Sequence, residues 1–149
     1  MRFYIAGRFS RRDEFNRYAD QLRSWGHVVD ARWLVEDHEW YGEMDDDAIE
    51  AARAFATDDL EDVARADVVL VFTEPPNPGG RNRGGRHVEF GIALGLSKDI
   101  VIVGEPENVF HNLTGWVPIP DPDVMHKPAA TVRHVLSFEE LDRSNEAVA

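Results

Sequence analysis

The sequence predicts an α/β protein, a parallel sheet of about five strands with helices on both faces. Three observations carry that expectation. Short apolar runs alternate with segments of helical periodicity from the first residues onward. Val68-Val69-Leu70-Val71-Phe72 is apolar at every position, as a strand buried on both faces in the middle of a parallel sheet should be. The 149 residues match one domain with a sizeable core, so 1–149 is read as a single domain without repeat or linker.

Arg2-Phe3-Tyr4-Ile5-Ala6 reads as a short buried strand that Gly7 ends. Ser10, with Asp13 three residues on, offers an N-cap. Phe15, Tyr18, Ala19, Leu22 and Trp25 then recur at helical spacing, and Gly26 supplies the stop. His27 to Ala31 is a second strand. Arg32 to Asp47 is a polar and aromatic connection, long enough to be functional or mobile, whose tryptophans are expected to anchor it to the core. Asp45, Asp46 and Asp47 suit the start of a helix, with an apolar stripe of Ile49, Ala52, Phe55, Ala56, Leu60, Val63 and Ala64. After the central strand, Thr73 to Arg86 is a Pro/Gly loop, and His87 to Ser97 is a helix packed through Val88, Ile92, Ala93 and Leu96. Ile100 to Val103 is the fourth strand, and a short helix or turn covers Asn108 to Leu113. Val132 to Val135 is an edge strand, and Ser137-Phe138-Glu139-Glu140 opens a final short helix. Ligands of such sheets bind beyond the carboxyl ends of the strands, so the loops after Ala6, Phe72 and Val103 should line the site.

Composition narrows the function. A net charge of −12 repels phosphate backbones, which argues against a nucleic-acid duplex as partner. A small anion can still be held by local arginines, at Arg8, Arg11 and Arg12 or at Arg81, Arg83 and Arg86. No run of eighteen apolar residues occurs, so no membrane partner is expected. Without cysteine there are no disulfides or thiolate metal sites, and a cytoplasmic location follows by default. His38 among Glu36, Asp37 and Glu39, and the run Asp45 to Asp47, lack the spacing of a known metal site. With no Walker sequence and no Gly-x-Gly-x-x-Gly, no metal or cofactor is expected.

The chemistry gathers at Gly84-Gly85-Arg86-His87-Val88-Glu89-Phe90-Gly91. Glycines allow close backbone approach to a ligand, and the following helix points free N–H groups at the same place. Glu89 is expected in the first turn of that helix, where the helix end favours an ionised carboxylate, either as a nucleophile or as a simple complement to the dipole. Asp59-Leu60-Glu61-Asp62 and Asp67 form a second group of acids. Asp67, at the amino end of the central strand, is expected to cap or turn the chain. Whether Asp59 reaches the site depends on how its helix runs.

Tyr4-Ile5-Ala6-Gly7, Asp59-Leu60 with Ala66-Asp67-Val68-Val69, and Gly85-Arg86-His87-Val88-Glu89-Phe90-Gly91-Ile92-Ala93, in that order, resemble the nucleoside 2-deoxyribosyltransferase family over roughly residues 2 to 113. That family includes deoxynucleoside 5′-monophosphate N-glycosidases. The resemblance implies a flavodoxin-like three-layer sandwich and a double displacement at the anomeric carbon. Glu89 would attack C1′ and hold the sugar as an ester, and Asp59 would orient or protonate the departing base, which leaves poorly as an anion. Tyr4, Gly7, Arg8, Gly85, Arg86 and His87 would contact substrate. Asn112 would do so from a neighbouring subunit of a homo-oligomer.

Three departures refine this, the first being that the tyrosine expected in the first strand falls on Phe3 or Tyr4 depending on alignment. Family members that use free nucleosides carry an acid six residues before the nucleophile. Here that residue is Arg83, which suits a 5′-phosphate better than a hydroxyl, unless the Arg81–Arg86 loop is a solvated lid. The transferases' C-terminal aromatic residue is missing from the ending Asn145-Glu146-Ala147-Val148-Ala149. Hydrolysis of a nucleoside monophosphate is therefore placed slightly ahead of base exchange. Pro78-Gly79-Gly80 with Glu89 more loosely resembles phosphoribohydrolases of the cytokinin-activating type. A non-catalytic nucleotide-sensing module on the same fold is the alternative from another class.

Overall fold

The computed structural model describes residues 1–38, 40, 42–74, 84–114 and 116–117. Its strands are β1 (Arg2–Ala6), β2 (Val28–Val29), β3 (Val68–Phe72), β4 (Asp99–Val103) and β5 (Trp116–Val117). The helices are α1 (Arg12–Ser24), α2 (Asp46–Arg65) and α3 (Gly85–Gly95), with 3₁₀ turns at Phe9–Arg11, Arg32–Leu34 and Val109–Leu113. The sheet runs β2-β1-β3-β4-β5 and every pairing is parallel. This is the flavodoxin-like order, with its switch point between β1 and β3. Right-handed crossovers place α1, which leads outward to β2, on one face and α2 and α3 on the other.

β1 and β3 hold the centre: Phe3 to Ala6 and Val68 to Phe72 are all buried. Four residues of α1, Phe15, Tyr18, Ala19 and Leu22, pack on them, with Tyr18 stacked on Phe72 at 5.3 Å between ring centroids. The long connection is anchored as expected by Trp33, which is buried and donates its indole N–H to the Ile5 carbonyl at 2.9 Å. Asp67, expected to cap or turn the chain, instead reaches across the sheet and accepts the Arg2 backbone N–H at 2.7 Å, tying the start of β3 to the start of β1. Asp45 caps α2 by accepting from Ala48 N–H at 2.9 Å, with Asp46 and Asp47 in the first turn. Among the described residues no helix is long and apolar enough to cross a membrane.

Gly7 closes β1 against the core. A Cβ built there would lie 2.3 Å from the Phe15 ring, which is itself fully buried. Gly7→Ala therefore forces a packed aromatic to move and should cost about 1–3 kcal/mol, read as a lowered urea midpoint with an unchanged slope.

Three local expectations are corrected. Ser10 caps nothing: it lies inside the 3₁₀ turn, and α1 begins from Arg11 without a side-chain cap. Of the stripe on α2 only Val63 is buried, beside the acid Asp62, and Leu60 is 47% exposed. On α3 the buried residues are Arg86, Phe90 and Ala93, while Val88 and Leu96 face outward. A helix apolar on two sides has two candidate stripes, and periodicity alone does not say which meets the sheet. The strand at 132–135 and the helix from 137 lie outside the described residues. The fifth strand that is described is Trp116–Val117.

Candidate active site

Tyr4 stands in the middle of β1 with no exposed surface. Alternation along the strand sends its side chain to the face opposite Phe3 and Ile5, toward α2 and α3. There its hydroxyl donates to Glu89 Oε1 at 2.9 Å. The half-buried carboxyl of Asp59, from α2, lies close enough to act electrostatically on both Tyr4 and Glu89. The other oxygen of Glu89, Oε2, is buried and has no hydrogen-bond partner. Two carboxyl groups from two helices thus meet over one phenol from the strand beneath.

Electrostatics follow from this crowding. Burial pushes the Glu89 carboxyl up to about 8, and the neighbouring Asp59 charge adds to the shift. The Tyr4 hydrogen bond and the Arg86 charge oppose it without cancelling it. Burial also raises Asp59, opposed by the His38 charge and contact, while Asp62 adds to the rise and Tyr4 opposes it. Tyr4 itself is pushed up by burial first, then by both acids.

The expectation of Glu89 as a first-turn carboxylate held charged by the helix dipole is therefore corrected. α3 starts at Gly85, two residues earlier than the sequence suggested, so its first turn contains no acid and Glu89 lies beyond it. The dipole falls off within one turn, and desolvation wins. Burial therefore favours the protonated form of Glu89 at neutral pH.

The remaining predicted residues take varied places. Gly85 opens α3 after Gly84, which adopts a left-handed conformation with φ 74°. Arg86 is buried, and its guanidinium engages Glu107 through Nη2 and, at 3.2 Å, through Nε. His87 has its ring nitrogens 3.4 Å from Asn108 Nδ2 and 3.9 Å from Glu107 Oε2; burial holds it below the ordinary histidine range. Gly7 and Arg8 follow β1 directly, at its carboxyl end. Asn112 is exposed and donates to the Val109 carbonyl at 3.3 Å. Arg83 lies outside the described residues.

Sequence reasoning missed two features. Asp62, fully buried, accepts the Arg32 backbone N–H at 2.8 Å and its Nε at 3.0 Å, fixing the Arg32–Leu34 turn on α2. His38, weighed only as a metal ligand, lies against Asp59. The signal for both was the excess of acids late in α2, which asked for cations in another segment. Glu36, His38 and Asp58 bring one ligand atom each within 4.8 Å of one another. Asp58 is already bonded to Arg32 at 2.7 Å, and His38 Nε2 lies 3.1 Å from Glu36, so these side chains are engaged with one another and with Arg32.

No family model matches the chain, and no curated protein does. Solved structures do share its fold. A CMP N-glycosidase of Clostridium botulinum is 18% identical with a TM-score of 0.51, over 85% of this chain and 97% of that one. A 2-deoxyribosyltransferase of Bacillus psychrosaccharolyticus is 20% identical with a TM-score of 0.58, over 89% of this chain and 96% of that one. At such identities the likeness is one of fold, and the fold is the sandwich of 2-deoxyribosyltransferase-like proteins.

Proposed function

We propose that this protein cleaves the N-glycosidic bond of a nucleoside or nucleoside 5′-monophosphate, with Glu89 as nucleophile and Asp59 as acid. One observation carries the reading: the Tyr4 hydroxyl holds the buried carboxyl of Glu89, and the half-buried carboxyl of Asp59 lies close enough to shift both groups. Both relatives in fold act on such bonds by name, which supports it.

The pair enters the reaction holding one proton. At rest that proton is on Glu89; the reaction needs it on Asp59. The proton moves from Glu89 to Asp59, which leaves a carboxylate beside the anomeric carbon and an acid beside the base. Glu89 then bonds C1′, the C1′–N electrons leave with the base, and the base takes the Asp59 proton. Water next attacks C1′, the ester carbon–oxygen bond breaks, and Asp59 accepts the water's proton. A second base in place of water would give transfer. On this reading a substrate 5′-phosphate is met by arginines predicted at the site, Arg8, Arg83 and Arg86. His87, at the start of α3, faces substrate beside Gly85.

The protein acts as a homo-oligomer on this reading, with Asn112 completing a neighbour's site. Val109, Phe110 and Leu113 on the same turn are 77%, 62% and 67% exposed, a surface suited to cover by a second copy. The test is a panel of deoxynucleosides, ribonucleosides and their 5′-monophosphates followed for free base, with and without a second base. Base release without an acceptor is expected, fastest from a 5′-monophosphate. Nucleotide binding with no base released by the wild type would overturn the enzymatic reading and favour a sensor.

A further inference from the structure

His38 sits outside the pair just described, yet everything around it is arranged toward Asp59. Its side chain is only 3% exposed. The ring stacks on Phe55 of α2, with centroids 4.6 Å apart and planes at 19°. Phe55 precedes Asp59 by one helical turn on the same face, so the stack sets the ring's edge against that carboxyl. Nδ1 lies 3.4 Å from Asp59 Oδ1, and both atoms are buried with no hydrogen-bond partner, so each polar atom faces the other across a short gap. On the other side Nε2 lies 3.1 Å from Glu36 Oε2 and 3.9 Å from Asp58 Oδ2. The segment carrying His38 is itself fixed: Glu36 N–H bonds the Arg32 carbonyl at 2.9 Å, and Arg12 donates to the Glu36 carbonyl at 3.2 Å.

We propose that His38 is the positioning residue of Asp59: it fixes the acid's Oδ1 through Nδ1, resupplies its proton, and is itself oriented by Glu36 through Nε2. The inference rests on the glycosidic reading of the site. As Asp59 yields its proton to the departing base, the His38 Nδ1–H bond breaks and an O–H bond forms on Asp59. The step begins from the doubly protonated ring and leaves it neutral, with the N–H of Nε2 intact and donated as a hydrogen bond to Glu36. When Asp59 takes the proton of the attacking water, the transfer reverses. A buried carboxylate left beside the new ester would otherwise meet no counter-charge from this side. An imidazole between two carboxylates is suited to that exchange, because each ring nitrogen can hold or release a proton without moving the ring.

Two measurements on the full-length protein test it. The first compares a purine nucleotide with its 7-methylated form, whose base is already cationic and departs neutral without an acid. His38→Ala should lower kcat/KM about 100-fold on the ordinary substrate and less than about threefold on the methylated one. His38→Asn, whose amide nitrogen takes the place of Nδ1, should recover about tenfold of that loss. Equal losses on both substrates, or none on either, would overturn the proposal. The second measurement does not need turnover. The His38 ring signal is the one of six histidine signals absent from His38→Ala. Its Nδ1 nitrogen resonance should move in Asp59→Asn and its Nε2 resonance in Glu36→Gln. An unmoved Nδ1 resonance refutes the contact even in an active enzyme. A wild type that shows the resonance shifts but releases no base refutes the glycosidic reading instead, and the proton supply with it.

Discussion

Glu89→Gln should abolish base release, by a factor on the order of 10⁴ or more, and at the same time make the protein more stable in alkali. The loss is expected because no other carboxyl faces C1′ on this reading, and an amide does not displace a base. The gain follows from the raised ionisation of Glu89. Its carboxyl binds a proton more tightly in the folded chain, where it titrates near 8, than in an unfolded one, where it titrates near 4.5. The folded state is therefore favoured most below about pH 4.5 and loses that advantage as pH rises through 8. At pH 9 the wild type buries a charge that Gln does not carry, a difference of up to roughly 5 kcal/mol before any relaxation of the site. Thermal melts at pH 5 and pH 9 check this. The variant's advantage should be small at pH 5 and several degrees at pH 9. A variant that still turns over, or that melts lower than wild type at pH 9, would remove Glu89 from the buried position that the mechanism requires.

The fold was legible because each long strand advertises itself. Val68 to Phe72 is apolar without interruption, and a sequence that gives up alternation over five residues has no solvent face to offer. α1 was equally plain, since its apolar residues lie on one side only. The site was legible in part. Glu89 and Asp59 could be named from the order of motifs, but their ionisation could not. It depends on whether Glu89 is in the first or the second turn of α3, and that turned on Gly84 adopting a left-handed conformation, which shifted the helix start by two residues. Arg86 is the opposite case. An arginine directly after a glycine pair reads as an anion ligand, yet its partner is Glu107, from the segment after β4, and nothing local in the sequence joins them. Pairings between distant segments are set by topology, and a motif carries none of that. His38 was hidden for the same reason, since its meaning lies in Phe55 and Asp59 on another element.

Asp59→Asn should lower kcat/KM on an unmodified nucleotide by about 10² to 10⁴ while sparing a 7-methylated purine nucleotide, because only the first needs a proton on its leaving base. The pH profiles sharpen this. On the ordinary substrate the wild type works while the carboxyl pair holds one proton, so its rate should fall as pH rises through about 8 and that proton is lost. On the methylated substrate no acid is needed, and the rate should rise over the same interval as Glu89 becomes fully ionised. Removing the Asp59 charge takes away one of the two causes that raise Glu89, so in Asp59→Asn the rise on the methylated substrate should move to lower pH. Tyr4→Phe should move it the other way, since the lost hydrogen bond is one that favours the Glu89 carboxylate. Opposite displacements are what a single carboxyl gives when one neighbour repels its charge and the other holds it by a hydrogen bond. Profiles that stay fixed in both variants would mean that Glu89 is not the group being titrated, and the assignment of nucleophile would have to move elsewhere.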